Sequence, residues 1–330
     1  MSRVRVTVPA TSANLGPGFN SLALALSLHN VIELSHIDHG LTFDLNGEGA
    51  SDLPLTPANL IVRAAAAVFR RTGCVPGGLH VSLESSIPVQ SGLGSSAAAI
   101  LGGVVAANVL IGSPLNRDEL LKIAVEVEGH PESVTAALYG GLVACTCDEG
   151  ELIYTRVPIA PMHVVVALPV LTSRGPTVAL PASVSLDDAA VSIGRAAIVM
   201  QALSKGDFGL LGHAMRDRIH EPTRRRLIPA YQWATTAAVR AGASAVAISG
   251  AGPALIAFAP DDHEEIAAMM VRAFTEGGHV DTRTWILPID TQGISISEIG
   301  VSLAQNGRPT PASPDRAGIP DASPNGKRSG

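Results

Sequence analysis

Residues 90–99 read QSGLGSSAAA, and an almost unbroken apolar run follows them to Ile111. The run predicts a helix, but two glycines and two serines stand directly before its alanines. Glycine lowers helix stability and serine competes for backbone hydrogen bonds, so helix propensity does not explain them. One explanation is ordinary N-capping of a core helix. The other is an anion at the helix start, where backbone N–H groups are unpaired, the helix dipole is positive and glycine permits close approach.

The composition indicates a large hydrophobic core. The chain has 330 residues, of which 46% are hydrophobic and 16% charged, with a net charge of −6 and a mean hydropathy of +0.30. This length allows two domains or one large α/β unit. No basic stripe indicates nucleic-acid binding, and no cluster of lysine and arginine indicates attachment to a membrane surface.

The cysteines and the apolar segments predict a reduced, soluble, cytoplasmic protein. The three cysteines (Cys74, Cys145 and Cys147) are an odd number and lack neighbouring zinc ligands, so we expect buried thiols. Residues 1–9 alternate like a strand and contain no signal-peptide core. Residues 97–111 are too few to cross a bilayer, which needs ~20 apolar residues. We therefore expect no membrane partner.

Hydrophobic periodicity and turn residues predict a mixed order of strands and helices. Strands are predicted over 4–9, 31–37, 42–45, 80–83, 142–147, 153–157, 162–169, 245–249, 254–259 and, as the last one, 282–288. Helices are predicted over 59–71, 95–110, 117–128, 181–203, 208–219, 231–241 and 263–276. The strands come in hairpin-like pairs and the helices in runs, which favours an α+β fold over a doubly wound sheet. Residues 305–330 are rich in Pro, Gly and Ser and are predicted to be a disordered tail.

Two further stretches decide how the glycine–serine loop is interpreted. PATSANLGPGFN (9–20) is a polar loop between apolar runs, and AISGAGPALIAF (247–258) is a glycine turn between predicted strands. Together with residues 90–97, and in this order, they resemble the three signature motifs of the GHMP kinases. This family includes galactokinase, homoserine kinase, mevalonate kinase and phosphomevalonate kinase, and the resemblance spans about residues 3 to 295. EGHP (128–131), DRIHEPTR (217–224), LIP (227–229) and LPASVSLDDA (180–189) look like the homoserine kinase branch.

The resemblance implies a fold and an activity. It implies an amino-terminal domain over 1–157 similar to ribosomal protein S5 domain 2, a ferredoxin-like α+β carboxy-terminal domain over 158–304, and an active site between them. The implied reaction is MgATP-dependent phosphorylation of the side-chain hydroxyl of L-homoserine, in threonine biosynthesis. The resemblance is compatible with a homodimer but does not decide the oligomeric state.

The resemblance also assigns residues to the nucleotide and to magnesium. The residues expected around the ATP phosphates are Gly92, Leu93, Gly94, Ser95, Ser96 and Ala97. Ser96 and Glu128 are the expected magnesium ligands. The alternative for Glu128 is a solvated carboxylate that opposes the helix dipole, and Glu126 is its competitor. Asn59 matches a position near the adenine pocket but is equally explained as a helix N-cap.

Other residues match the substrate side of the site. Arg224 is the arginine expected to hold the amino-acid carboxylate, and its followers Arg225 and Arg226 are expected to be solvated. The remaining substrate-side residues are Asn14, Asn20, His130, Ser133, Gly250 and Gly252. The expected catalytic set is Ser96, Glu128 and Arg224, acting by positioning rather than through a general base.

Three departures from the family pattern fall on the substrate side. Asn20 stands where the family has an aspartate suited to the substrate ammonium, and Glu132 and Ser133 replace an aspartate–asparagine pair. Thr177 aligns with a second carboxylate-binding arginine, although Arg174 is close. Either Arg174 and Glu132 substitute in a divergent homoserine kinase, or the chain phosphorylates another small hydroxylated metabolite. A nucleotide-binding regulator without turnover is the third hypothesis; we favour homoserine.

Overall fold

The structure is a computed structural model that describes residues 3–171 and 179–299. Within these residues two β-sheets organise the fold. The seven-stranded sheet contains β1 (Arg3–Ala13), β2 (Leu22–Ile37), β3 (Gly40–Gly47), β4 (Gly78–Ser85), β5 (Leu142–Asp148), β6 (Glu151–Val157) and β11 (Ser295–Ile299). The four-stranded sheet contains β7 (His163–Pro169), β8 (Ala245–Ile248), β9 (Leu255–Phe258) and β10 (Thr282–Pro288).

The first sheet runs in the order β11-β1-β2-β4-β3, and β5 joins the first residues of β2 to β6. Only the β3–β4 pair among these is parallel. In β1, the side chains of Val4, Val6 and Val8 alternate with more exposed residues, so one face of the strand enters the core. This alternation explains why the start of the strand was predictable.

The second sheet has the order β10-β7-β9-β8, and all its pairs are antiparallel. Its helices α8 (Tyr231–Arg240) and α9 (His263–Gly278) lie between β7 and β8 and between β9 and β10 in the chain. This β-α-β-β-α-β order is the ferredoxin-like arrangement. The α+β fold expected from the sequence is confirmed.

The remaining helices either precede β5 in the chain or lie between β7 and α8. They are α1 (Leu60–Thr72), α2 (Ser95–Leu110), α3 (Arg117–Glu128), α4 (Pro131–Tyr139), α5 (Leu186–Lys205), α6 (Phe208–Ala214) and the single turn α7 (Glu221–Arg224). Asn116 and Glu119 form a reciprocal capping box at the start of α3. No helix in the described ranges has the length and apolarity needed to pass through a membrane.

Helix α2 is the central helix of the first half. Eleven of its residues are buried, because it packs against β1, β2, α1 and α3 at once. Its glycines permit this close packing, since a Cβ at Gly103 would stand 2.5 Å from the carbonyl oxygen of Ile61 in α1. A helix that is apolar on every side is held firmly by its surroundings. The loop before α2 is therefore mounted on a rigid element.

Three strand predictions differ substantially from the structure. Strand β1 continues through Ala13, so the first residues of the predicted 10–20 loop are strand, and β2 begins at Leu22 rather than at residue 31. Residues 22–26 are all buried and show no alternation, which hid the strand. Thr282–Pro288 is not the last strand, because β11 follows and pairs with β1. The first sheet thus includes residues from both predicted domains, and the boundary at residue 157 stays a prediction.

Two helix predictions were too long. The helix predicted over 181–203 begins at Leu186, where the Ser185 side chain accepts a hydrogen bond from the Asp188 N–H. The helix predicted over 208–219 ends at Ala214. Shortly beyond it, the Asp217 carboxylate accepts three backbone N–H groups at 2.6–3.0 Å and starts a new turn. The predicted tail, 305–330, lies outside the described residues.

The cysteine prediction was right for one residue of three. All three are free thiols, but only Cys145 is buried, whereas Cys74 is partly buried and Cys147 is exposed. Cys145 and Cys147 are both on β5. The residues at the start of this strand are buried, whereas the last three, next to the hairpin turn with β6, are exposed. The exposure of Cys147 therefore follows from its place near the hairpin turn.

Candidate active site

The three motif loops meet in space and are joined by two backbone hydrogen bonds and one from a side-chain hydroxyl. The Thr11 N–H donates to the Leu93 carbonyl at 3.0 Å, which joins the first loop to the second. The Gly250 N–H donates to the Ala13 carbonyl at 3.0 Å, which joins the third loop to the first. The Ser249 hydroxyl is 2.8 Å from the Gly92 carbonyl oxygen, which joins the third loop to the second. Segments 236 residues apart therefore form one surface.

The loop before α2 needs its glycines. Gly92 and Gly94 have φ of +86° and +73°, in the left-handed region that favours glycine. A Cβ at Gly92 would collide with the Ser249 carbonyl oxygen, and a Cβ at Gly94 would collide with Thr11. Gly94 is also the N-cap residue and provides no side-chain cap. Ordinary side-chain capping therefore does not explain this helix start, and an anion bound by its backbone N–H groups stays the prediction.

A cavity of about 780 Å³ opens at the place where the loops meet. It is lined by residues of the first half of the chain and by residues 224, 250 and 251 of the second. The predicted site residues that line it are Asn14, Asn20, Asn59, Gly92, Gly94, Ser95, Ser96, Glu128, His130, Ser133, Arg224 and Gly250. A cavity of this size is within the range of small-ligand sites.

Three predicted site residues do not line this cavity. Leu93 and Ala97 are fully buried in the hydrophobic core, so their side chains do not reach a ligand in the cavity. Gly252 closes the turn of the third loop through a 2.8 Å bond to the Ser249 carbonyl. Arg174 and Thr177 lie outside the described residues.

Ser96 and Glu128 form a direct pair in the cavity wall. The Ser96 hydroxyl donates to Glu128 Oε1 at 2.6 Å, although the two residues belong to different helices. Burial raises the pKa of the Glu128 carboxyl, and the Ser96 hydrogen bond offsets part of that effect. Among the described residues, no arginine, lysine or histidine forms an ion pair with this carboxylate. A half-buried carboxylate beside a hydroxyl suits a hard divalent cation such as magnesium.

The competitor Glu126 lies elsewhere. Its side chain is 60% exposed and pairs with Arg71 at 3.1 Å. It does not line the cavity, so the geometry favours Glu128 as the metal-binding carboxylate. In residues 3–171 and 179–299, no three His, Cys, Asp or Glu side chains are grouped to hold a metal by themselves. A metal here would need oxygen ligands from a bound phosphate as well.

Asn59 has both features that the sequence left open. It is the N-cap of α1, where its side chain accepts from the Ile61 N–H at 3.0 Å and donates to the Pro54 carbonyl at 3.0 Å. It also lines the cavity. Its capping role is part of the structure, and its contact with an adenine stays a prediction.

Arg224 brings a cation from the second half of the chain to the cavity. Its Nη1 donates to the Gly250 carbonyl and to His220 Nδ1, both at 3.0 Å. The guanidinium also stacks over the Phe19 ring, 5.5 Å from its centroid. Burial lowers the pKa of Arg224, yet arginine remains charged at neutral pH. The side chain is thus a fixed cation at the cavity wall.

His220 is a positioning residue that sequence reasoning missed. Its ring is buried, and Nε2 lies 2.9 Å from the Gly16 carbonyl oxygen, so Nε2 carries the proton and Nδ1 accepts from Arg224. Burial lowers the pKa of His220 and keeps the ring neutral in this arrangement. His220 and Gly16 are 204 positions apart in the chain, so no local pattern indicated this contact.

Asn14 connects the first and third loops. Its side-chain Nδ2 donates to the Gly250 carbonyl at 2.8 Å, and its Oδ1 accepts from the Asn20 N–H at 2.9 Å. The Gly250 carbonyl therefore accepts from both Asn14 and Arg224. Asn14 and Arg224, both predicted on the substrate side, are thus hydrogen-bonded to the same carbonyl oxygen.

Comparison with known proteins identifies the family of this chain. Family models for the GHMP kinase N-terminal and C-terminal domains match residues 59–141 and 199–276. The homoserine kinase of Moorella thermoacetica is 41% identical over 279 residues, which cover 83% of this chain and 93% of that protein. The homoserine kinase of Synechococcus is 40% identical over 88% of this chain and 94% of its own length.

Solved structures give the same result. The crystal structure of homoserine kinase from Cytophaga hutchinsonii superposes with a TM-score of 0.77 at 27% identity, covering 89% of this chain and 97% of that one. Mevalonate kinase of L. major, in complex with R-mevalonate, has a TM-score of 0.61 at 16% identity, over 86% of this chain and 95% of its own. At that identity the second likeness concerns the fold alone.

Proposed function

The chain belongs to the homoserine kinase branch of the GHMP kinase family, and we propose that it transfers the γ-phosphoryl group of ATP to the side-chain hydroxyl of L-homoserine. The observation that carries this proposal is the arrangement of the cavity. A glycine loop on a helix N-terminus and the Ser96–Glu128 pair share it with a fixed arginine. The product is O-phospho-L-homoserine, an intermediate of threonine biosynthesis.

The nucleotide end of the cavity binds and neutralises phosphate. The backbone N–H groups at the start of α2 would donate to phosphate oxygens. Gly92 and Gly94 let this loop pack directly against Ser249 and Thr11. Ser96 Oγ and a Glu128 carboxylate oxygen would hold Mg²⁺, which when bound supplies positive charge to the phosphate oxygens. The paired Ser96 hydroxyl and the half-buried Glu128 carboxylate fit this ion.

The acceptor end orients the amino acid. Arg224 pairs with the α-carboxylate of the acceptor, and Asn14 lies beside it on the Gly250 carbonyl. Transfer breaks the bond between the γ-phosphorus and ADP, forms a bond to the homoserine oxygen and releases the hydroxyl proton to solvent. Ser133 is a poor general base near neutral pH. A loose, metaphosphate-like transition state does not require early deprotonation, so positioning carries the reaction.

Two alternatives remain as outcomes of the test. The departures at Asn20 and Ser133 would suit an acceptor other than homoserine, and a nucleotide-binding regulator would show no turnover. The assay measures ADP release from MgATP with L-homoserine, L-threonine, L-serine and mevalonate. We expect the highest kcat/KM with homoserine. A higher kcat/KM with another acceptor, or no acceptor-dependent ADP release, would overturn the proposal in favour of the corresponding alternative.

A homodimer and a cytoplasmic location belong to the same proposal. Light scattering on the purified protein tests the first, and cell fractionation tests the second. Neither bears on the chemistry of the cavity, which lies within one chain.

A further inference from the structure

Glu132 is a buried carboxylate in the wall of the cavity. It is the second residue of α4 and is 6% exposed. Its Oε2 accepts no hydrogen bond from any residue in 3–171 or 179–299. Burying a carboxylate oxygen without a partner is costly, so a structure that keeps one is expected to use it. The side chain therefore needs an explanation beyond packing.

The other carboxylates of the cavity wall are already accounted for. Glu48 makes two hydrogen bonds to Arg283 at 2.8 and 2.9 Å, and Glu128 is paired with Ser96. Asp52 is exposed at the surface. Among the described lining residues, Glu132 is thus the buried anion with an oxygen, Oε2, that lacks a partner.

Glu132 shares its part of the cavity with the Arg224 guanidinium. Burial is the main influence on the Glu132 carboxyl and raises its pKa, while a hydrogen bond from its own backbone N–H and the charges of His130 and Arg224 lower it. The Nη1 of Arg224 donates its hydrogen bonds to His220 and Gly250, and no acceptor among the described residues contacts its Nε or Nη2. An anion and a cation with unused hydrogen-bonding capacity face one cavity, as a ligand with both charges requires.

We propose that Glu132 binds the α-ammonium group of the amino-acid acceptor, while Arg224 binds its α-carboxylate. The proposal rests on the proposed function. The position at which the family resemblance places an ammonium-binding aspartate holds the neutral Asn20 here, which lines the same cavity. In this chain the charge that recognises the ammonium group stands instead on α4. The N-terminal end of that helix favours an ionised carboxylate, which is the form that binds an ammonium group.

The test compares Glu132→Gln with the parent on two acceptors, L-homoserine and 4-hydroxybutanoate, which lacks the α-amine. We expect KM for homoserine to rise about 10- to 100-fold, the effect of losing one charged hydrogen bond. We expect kcat to change less than about threefold, because the reacting hydroxyl is not touched. With 4-hydroxybutanoate, kcat/KM should be equal in parent and variant, and KM for ATP should be unchanged.

A second variant protects the test against a folding defect. Asn20→Asp in the Glu132→Gln background restores a carboxylate to the same cavity, and we expect it to recover about tenfold of the lost affinity for homoserine, most of one charged hydrogen bond. A merely structural role for Glu132 would not be rescued from position 20. Thermal unfolding and nucleotide binding of each variant show whether it is folded.

The outcomes separate this proposal from the proposed function. An equal loss of kcat with both acceptors would make Glu132 a general base or a structural residue, and an unchanged KM for homoserine would remove it from recognition. If the parent prefers another amino acid, the proposed function is overturned, and the same comparison applies to that acceptor and its deaminated analogue. If the parent uses only acceptors without an amine, both proposals are overturned.

Discussion

Replacing Glu128 with glutamine removes one charge from the nucleotide end of the cavity and changes little else. The amide oxygen of the introduced glutamine still accepts from Ser96, whose hydroxyl lies 2.6 Å from Glu128 Oε1 in the parent. Losing the charged hydrogen bond costs ~1.5–3 kcal/mol, but relief from burying a carboxylate, which raises its pKa here, offsets most of this cost. We therefore expect the free energy of unfolding to change by less than about 1 kcal/mol.

Activity should fall much further than stability. A carboxylate bound to the metal contributes several kcal/mol of charge stabilisation, and ~3–4 kcal/mol corresponds to a fall in kcat of about 200- to 1000-fold. The half-saturating magnesium concentration should rise in parallel, because one of two protein ligands has lost its charge.

The measurement is kcat as a function of magnesium concentration, with urea unfolding as the stability control. Glu126→Gln is the matched control, since Glu126 is on the same helix but is exposed and pairs with Arg71. We expect that control to behave as the parent does. Activity of Glu128→Gln within about twofold of the parent at saturating magnesium would refute the metal assignment, because a lost metal ligand costs far more.

Three further variants test other parts of the site. Gly94→Val should abolish MgATP binding, which nucleotide titration measures. Because the new Cβ would collide with Thr11 at a positive φ, the change should also destabilise the fold by about 1–3 kcal/mol, which thermal unfolding measures. MgATP binding equal to that of the parent would contradict the loop assignment. Ser133→Ala should lose no more than about tenfold in kcat, on the order of one hydrogen bond, and a loss of about a thousandfold with intact binding would make Ser133 a proton acceptor. Burial raises the pKa of Glu221 to about 7, so its ionisation destabilises the folded protein as pH rises from about 4.5 through 7. Glu221→Gln keeps an oxygen that accepts from the Ile248 N–H. We expect the free energy of unfolding of this variant to increase relative to that of the parent by ~1–3 kcal/mol as pH rises over this interval. Parallel curves of unfolding free energy from about pH 5 to 8 would contradict this.

The sequence predicted the elements whose side chains carry a local pattern. The long apolar run after residue 95 gave α2, and the Asn116–Glu119 spacing marked the start of α3. Elements defined by distant partners were missed. The first part of β2 is covered on both faces and shows no alternation, while β11 is short and becomes a strand only by pairing with β1.

The candidate site likewise contains residues that a local sequence pattern predicts and residues that depend on distant contacts. Glycines that must adopt positive φ and a serine at a helix start are visible in the sequence, because local backbone chemistry requires them. The buried state of Glu132 was not visible, since it depends on what surrounds α4 in three dimensions. Likewise, the ion pair between Glu48 and Arg283 joins residues that are 235 apart in sequence.

Arg224 shows why a charge alone does not make a binding residue. Asp217 fixes the turn before α7 through three backbone hydrogen bonds, and this turn places His220 under Gly16. His220 then accepts from Arg224, which also reaches the Gly250 carbonyl. The first and third motif loops are thereby tied to one guanidinium, whose orientation depends on a neutral histidine. The stretch 217–224 consequently acts as one unit, whereas the two arginines that follow it carry the same charge, are exposed as expected and line no part of the cavity.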